Sequence, residues 1–313
     1  MKIAILGTGS LGCYFAAKLH PVGEVHLFGH WEMQKEAIRK MGLHYQGLDG
    51  KIIAVSIRVS EISEYSKYFD LVLVLVKSFQ TQQAAKEAIQ LLNPDSSIGK
   101  VISLQNGLGN VEKLQVLFDK DQVIGGATNQ AARVAEPGLV LNTGAGTSYL
   151  PKSTPLDIIA LFEEAQIDLK LEADISGILW TKLAINAAIN PLTSILQVPN
   201  GKLLEDTVSL KLMKALAAEV QAVAKGSGIS LIVSDAGKEA VKVAEQTAQN
   251  RSSMLHDIDL GRQTEIDAIC GSVIEQGEKV GVKTPLNRQV YRMVKAAESD
   301  THYSLKDLAK LLG

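Results

Sequence analysis

The sequence predicts an α/β fold in which a domain built on a parallel sheet is followed by an all-helical domain. Three stretches predict it. The turn Gly7-Thr8-Gly9-Ser10-Leu11-Gly12 joins a short apolar strand at 2–6 to a helical run at 11–20. Residues 71–76 are continuously apolar, as in a parallel strand buried on both faces. After Asp174 almost every segment repeats its apolar residues at helical spacing.

The glycine turn lies between strands at 2–6 and 24–28, the strand–turn–helix context of a G-x-G-x-x-G dinucleotide fingerprint. Gly7 permits the tight turn, Gly9 the close approach of a pyrophosphate, and Gly12 the packing of helix on strand. The helix N-terminus turns N–H groups and a positive dipole end towards phosphate. The competing reading is a glycine turn with no ligand. The second strand runs out into Phe28-Gly29-His30-Trp31, with no carboxylate where NAD would place one against its ribose. That leans towards NADP, with His30 as a contact for the extra phosphate. Lys35 and Arg39 read as the solvated face of the next helix.

A hairpin is expected over 43–60, with Gly47 and Gly50 between its halves. The buried strand at 70–77 follows, then a helix over 81–92 and a strand over 100–105. Lys77 and Gln80 fall just past the carboxyl end of the first of these strands, and Asn106 begins the exit loop of the second. Ligands in open α/β sheets lie outside the carboxyl ends of the strands, so the glycine turn, Lys77, Gln80 and Asn106 are expected to converge on one crevice. A plain Asn-Gly turn is the alternative for Asn106. Residues 123–150 read as antiparallel strands extending the sheet, with Glu136-Pro137-Gly138 as a hairpin turn. A helix over 154–166 and a strand over 167–171 complete the first domain, which spans 1–170; the helical domain spans 171–313.

Helices are expected at 176–190, 203–226, 234–250, 252–281, 285–298 and 305–312. The first is apolar almost all round, which marks a buried helix. Yet Lys182, Asn186 and Asn190 recur at a spacing of four and form one polar stripe. Buried polar groups of this kind cost several kcal/mol unless each is partnered. The stripe is therefore either a structural hydrogen-bond network or the lining of a cleft whose partner is a substrate. Pro191 should kink or end the helix. In the stretch 252–281, Ser252 or Ser253 can cap the helix, and Ser253, Asp257, Gly261 and Glu265 form a second stripe. A buried Lys182 needs a carboxylate, and Glu265 and Asp257 are both candidates.

The 313 residues suffice for two cores, and 46% apolar with 21% charged residues is an ordinary globular composition. A net charge of −2 argues against nucleic acid or an anionic membrane as partner. Two cysteines far apart in sequence, Cys13 and Cys270, and no zinc spacing fit a reducing cytoplasm. No signal peptide is expected, because glycines interrupt the apolar start. The longest apolar run is too short for a bilayer.

Taken together, the motifs resemble those of the ketopantoate reductases (2-dehydropantoate 2-reductases). The likeness rests on G-T-G-S-L-G at 7–12, V-K-S-F-Q at 76–80, L-Q-N-G-L-G at 104–109, W-T-K-L-A-I-N-A-A-I-N-P-L-T at 180–193, P-N-G at 199–201, S-S-M-L-H-D-I at 252–258 and T-E-I-D at 264–267. The resemblance implies a Rossmann domain and a helical domain that hold NADPH and a 2-oxo acid, for reduction of ketopantoate to pantoate in pantothenate biosynthesis. It implies Lys182 as general acid with Glu265 as its carboxylate partner, Glu265 also touching the cofactor. Asn186, Asn190, Asn200, Asn250 and Ser253 would hold the substrate. Lys77, Gln80 and Asn106 would serve the cofactor, with Asn106 also near the substrate. His30 departs from the family pattern, in which many members carry an arginine, and NAD stays open as a cofactor. The runner-up is a reductase of another 2-oxo acid or an imine, and a remoter reading is a non-catalytic NADP sensor. The sequence is compatible with a monomer or a homodimer.

Overall fold

The computed structural model describes residues 1–312 and divides into two compact units. Met1–Gln105 and Asn110–Ile175 form the first; Asn106–Gly109 and the chain from Ser176 onward form the second.

The first unit opens with β1 (Lys2–Leu6), α1 (Ser10–Leu19), β2 (Glu24–Phe28) and α2 (Glu32–Met41). Then come β3 (Leu43–Gln46), β4 (Ile52–Val55), β5 (Arg58–Val59), β6 (Leu71–Val74), α3 (Thr81–Leu91), β7 (Lys100–Ser103), α4 (Asn110–Leu114) and β8 (Val123–Gly125). Six of these strands form one parallel sheet in the order β5-β2-β1-β6-β7-β8. Its central strands are fully buried: Ile3, Ala4 and Ile5 in β1 and Leu71 to Val74 in β6 show no exposure. Burial on both faces explains why β6 reads as an unbroken apolar run rather than an alternation.

The remaining strands are β9 (Ala127–Thr128), β10 (Ala131–Glu136), β11 (Leu139–Gly144), β12 (Ser148–Pro151) and, after α5 (Leu156–Glu164), β13 (Leu169–Glu172). They do not extend the parallel sheet as expected. Only β8 does that, and it does so in parallel. The β10–β11 hairpin, turning at Gly138 with φ +87°, pairs with the β3–β4 hairpin in a separate four-stranded sheet. β9, β12 and β13 make a third. Alternation identifies a strand but not its neighbour, because register is a long-range property.

The second unit comprises α6 (Ser176–Leu196), α7 (Thr207–Gly226), α8 (Ala236–Gln246), α9 (Ser253–Asp259), α10 (Ser272–Val280), α11 (Pro285–Ala297) and α12 (Leu305–Ala309). Of the two outcomes expected at Pro191, a kink or an end, the end is ruled out: α6 continues to Leu196. Pro191 offers no N–H to Ala187, but just beyond it Thr193 donates its hydroxyl to Ile189 and Asn190 carbonyls, and Ser194 donates to Asn190. The expected helix over 252–281 is broken. α9 stops at Asp259, Gly261 takes a left-handed φ of +60°, and a π-helical turn at Asp267–Gly271 leads into α10. Ser253, Asp257, Gly261 and Glu265 therefore do not share one helix face. No helix among the described residues is long and apolar enough to cross a membrane.

Candidate active site

α6 is held on nearly all sides by a core that includes Leu183, Ala184, Ala187, Ala188 and Leu192 from its own length and Leu212, Leu216 and Val220 from α7. Packing of this kind fixes the helix, and with it the stripe. Lys182 and Asn186 are half-buried and Asn190 is 7% exposed. Burial pushes the Lys182 ammonium down to about 8, and the negative charge of Glu265 pulls the other way. Of the two carboxylates left open by sequence, Glu265 has a charge that acts on Lys182. Both are buried, Glu265 at 6% and Asp257 at 5% exposure.

Glu265 is positioned by the break that the sequence pattern conceals. Thr264, fully buried, donates its backbone N–H and hydroxyl to Glu298, at 2.9 and 2.7 Å. Glu265 follows directly, with its carbonyl accepting from Ala268 and Ile269 N–H at the start of the π-helical turn. Asn106 donates its side-chain N–H to the Glu265 carboxylate at 3.5 Å. This works because the loop Asn106–Gly109 belongs to the helical unit. Gly107, at φ +82°, leaves no room for a side chain against Ala268, and Leu108 N–H donates to the Ala268 carbonyl at 3.1 Å. Asn106 is thus grouped with Lys182 and Glu265 in the helical unit, while Lys77 and Gln80 belong to the first.

The other substrate candidates also fall in the helical unit. Ser252 is the cap of α9, accepting from Leu255 N–H at 3.1 Å and meeting the Thr193 hydroxyl at 2.7 Å. Ser253 is thereby spared from capping and is exposed. Asn200 and Asn250 are joined through their backbones, Asn200 N–H donating to the Asn250 carbonyl at 2.9 Å. Asn200 also donates to the Thr247 hydroxyl at 2.9 Å, and its Oδ1 is buried without a hydrogen-bond partner. Buried acceptors are rarely left so, and an orphan of this kind suits a hydroxyl donor. Thr247 carries no sequence signal of its own, since nothing local marks it.

In the first unit the glycine turn fits a dinucleotide. A side chain at Gly7, where φ is +127°, would sit 2.8 Å from the Leu75 carbonyl, and one at Gly12 would collide with the Gly7 carbonyl oxygen. Over Gly9 there is open space, and α1 begins there with no acidic residue in its first turn. The turn thus packs tightly beneath and stays open above, as close approach of a pyrophosphate requires. Thr8 is buried, Ser10 accepts from Val134 N–H at 3.2 Å, and Leu11 packs against the core beneath. Lys77 and Gln80 flank the one-turn helix after β6, the strand beside β1. Gln105 steadies that exit by donating to the Val76 carbonyl at 2.9 Å and the Thr81 hydroxyl at 2.8 Å. His30 is exposed, with Nε2 2.9 Å from Glu87 Oε1. Lys35 departs from expectation: it is 2% exposed and paired to Glu32 at 2.9 Å and Glu61 at 2.7 Å.

Two family models match this chain, one described as ketopantoate reductase PanE/ApbA over residues 3–154 and one as its C-terminal domain over residues 174–298. The chain belongs to the ketopantoate reductase family. A 2-dehydropantoate 2-reductase of Pyrococcus horikoshii is 34% identical over 306 residues, covering 96% of this chain and 98% of its own. A PanE/ApbA family ketopantoate reductase from Ralstonia eutropha has a similar structure, with a TM-score of 0.87, 30% identity, and coverage of 96% and 99%. A D-mandelate dehydrogenase solved with NADH and anilino(oxo)acetate reaches the same TM-score at 25% identity, again over 96% and 99%.

Proposed function

We propose that this chain reduces ketopantoate to pantoate, for pantothenate biosynthesis, with NADPH as reductant. The observation that carries the reading is Lys182, held half-buried on a packed helix with its pKa brought down to about 8 against the charge of Glu265. A general acid works best when its pKa lies near the working pH. When bound at the glycine turn, the reduced nicotinamide supplies the hydride. The carbonyl carbon gains that hydride while its oxygen gains a proton from Lys182 Nζ, giving a 2-hydroxy acid. Lys182 is left neutral and regains its proton from water. Glu265 keeps the lysine charged until that transfer, and Asn106 steadies the Glu265 carboxylate. Asn186, Asn190, Asn250 and Ser253 bind the carboxylate and hydroxyl of the substrate, and the Asn200 Oδ1 acceptor suits the hydroxyl. Lys77 and Gln80 bind the dinucleotide with the turn at Gly7 to Gly12.

A second reading is reduction of a different 2-oxo acid, favoured by the similarity to D-mandelate dehydrogenase. NADPH oxidation measured with ketopantoate, with an aryl 2-oxo acid and with a 2-oxo acid lacking the hydroxymethyl arm separates the two. The proposal expects the highest kcat/KM for ketopantoate. A higher value for either of the others would reject it.

A further inference from the structure

The end of β2 is where a Rossmann fold reads the 2′ substituent of the adenosine ribose. In this chain that end lies directly against the fingerprint turn: a side chain at Gly29 would sit 2.6 Å from the Thr8 hydroxyl. The next residue, His30, is a basic side chain whose partner lies neither on α2 nor on the adjoining strand edge. Lys35 is committed to Glu32 and Glu61, and Arg39 donates to Glu61 at 2.5 Å. His30 in turn meets Glu87, a carboxylate in the middle of α3. Glu87 is 10% exposed at its side chain, whereas His30 is 64% exposed. Gln83 donates to the same Glu87 oxygen at 3.0 Å, which pins the carboxylate in place. His30, Lys35 and Arg39 are thus each matched by an acid, and the acid behind His30 is the buried, anchored member of its pair.

We propose that Glu87 sets cofactor preference in this chain. Its carboxylate engages His30 and places acidic charge beside the site where a 2′-phosphate would bind, so NADPH is favoured over NADH only narrowly. A phosphate monoester carries about −1.5 to −2 charge at neutral pH, and a like charge held nearby and partly buried opposes it. NADH has no such group and is indifferent to Glu87. This rests on the reading above only in taking a nicotinamide dinucleotide as cofactor.

The test is a fluorescence titration of the full chain with NADPH and with NADH, without any oxo acid, on wild type, Glu87→Gln, His30→Arg and the double variant. Wild type is expected to bind the two within about tenfold of each other. Glu87→Gln should raise the preference for NADPH by about tenfold, mainly by tightening NADPH. His30→Arg alone should gain less than about threefold, because Glu87 takes up the new charge, and the double variant should exceed the product of the single effects. An unchanged preference in Glu87→Gln, or the same gain from His30→Arg with and without Glu87, would overturn the proposal. If Glu87→Gln does not fold, a large gain from His30→Arg alone overturns it and a small one supports it. Wild type binding neither dinucleotide also overturns it. Wild type binding both without reducing ketopantoate leaves it standing and rejects the substrate assignment instead.

Discussion

Two lysines in this protein are withdrawn from water and shifted in opposite directions. Lys35 on α2 is 2% exposed, and burial alone would lower its pKa, but Glu32 and Glu61 at 2.9 and 2.7 Å hold it above the ordinary lysine value. On Lys182 of α6 the charge of Glu265 pulls the same way, but burial wins, and its pKa falls to about 8. The difference lies in the balance between burial and carboxylate charge. Two close carboxylates lock an ammonium in its charged form, which suits a structural tie. Where burial outweighs the carboxylate charge, as at Lys182, the ammonium can give up a proton near neutrality, which suits an acid.

The largest expected effect comes from removing the second lysine. Lys182→Ala should lower kcat for ketopantoate reduction by about 10²–10⁴-fold, with dinucleotide binding retained in a fluorescence titration. Near-normal turnover would break the comparison. Glu265→Gln should act next, lowering kcat at neutral pH by about tenfold and moving the alkaline limb of the pH–rate profile to lower pH, because the charge that props up Lys182 is gone. Lys35→Met should have the smallest effect on catalysis, leaving kcat unchanged while reducing unfolding free energy by about 1 kcal/mol, as read by urea denaturation. Glu32 and Glu61 are each about half exposed or more, so water can solvate them once the lysine is lost. A fall in kcat without loss of stability would reverse the roles assigned to the two lysines.

The sequence exposes one lysine of this pair far better than the other. Lys182, Asn186 and Asn190 recur every four residues on an otherwise apolar helix, a local pattern that residue spacing alone makes visible. Lys35 sits in an amphipathic helix with charges around it, and its partner Glu61 lies twenty-six residues away, with no local signature of the pairing. That β1, β2, β6 and β7 are strands of a parallel sheet is legible because crossover helices and buried strands have local signatures. The destination of the β10–β11 hairpin is not, since pairing is decided across the chain. Nor is the grouping of Asn106 with Glu265, which depends on Leu108 N–H reaching the Ala268 carbonyl. Gly261 carries a signal that the stripe pattern masks. It follows directly on the last turn of α9, where a glycine often ends a helix. Taking it as a member of a continuous stripe joins two segments that are separate, and places Glu265 on the wrong element.

The central claim is that Lys182 is an acid tuned by Glu265, and the pH dependence of kcat/KM tests it most directly. The proton is needed on the lysine, so activity should be full below its pKa and fall as pH rises through about 8. In Glu265→Gln the same fall should begin at lower pH. A profile that stays flat into the range of an ordinary lysine, or an alkaline limb that Glu265→Gln does not move, would contradict it.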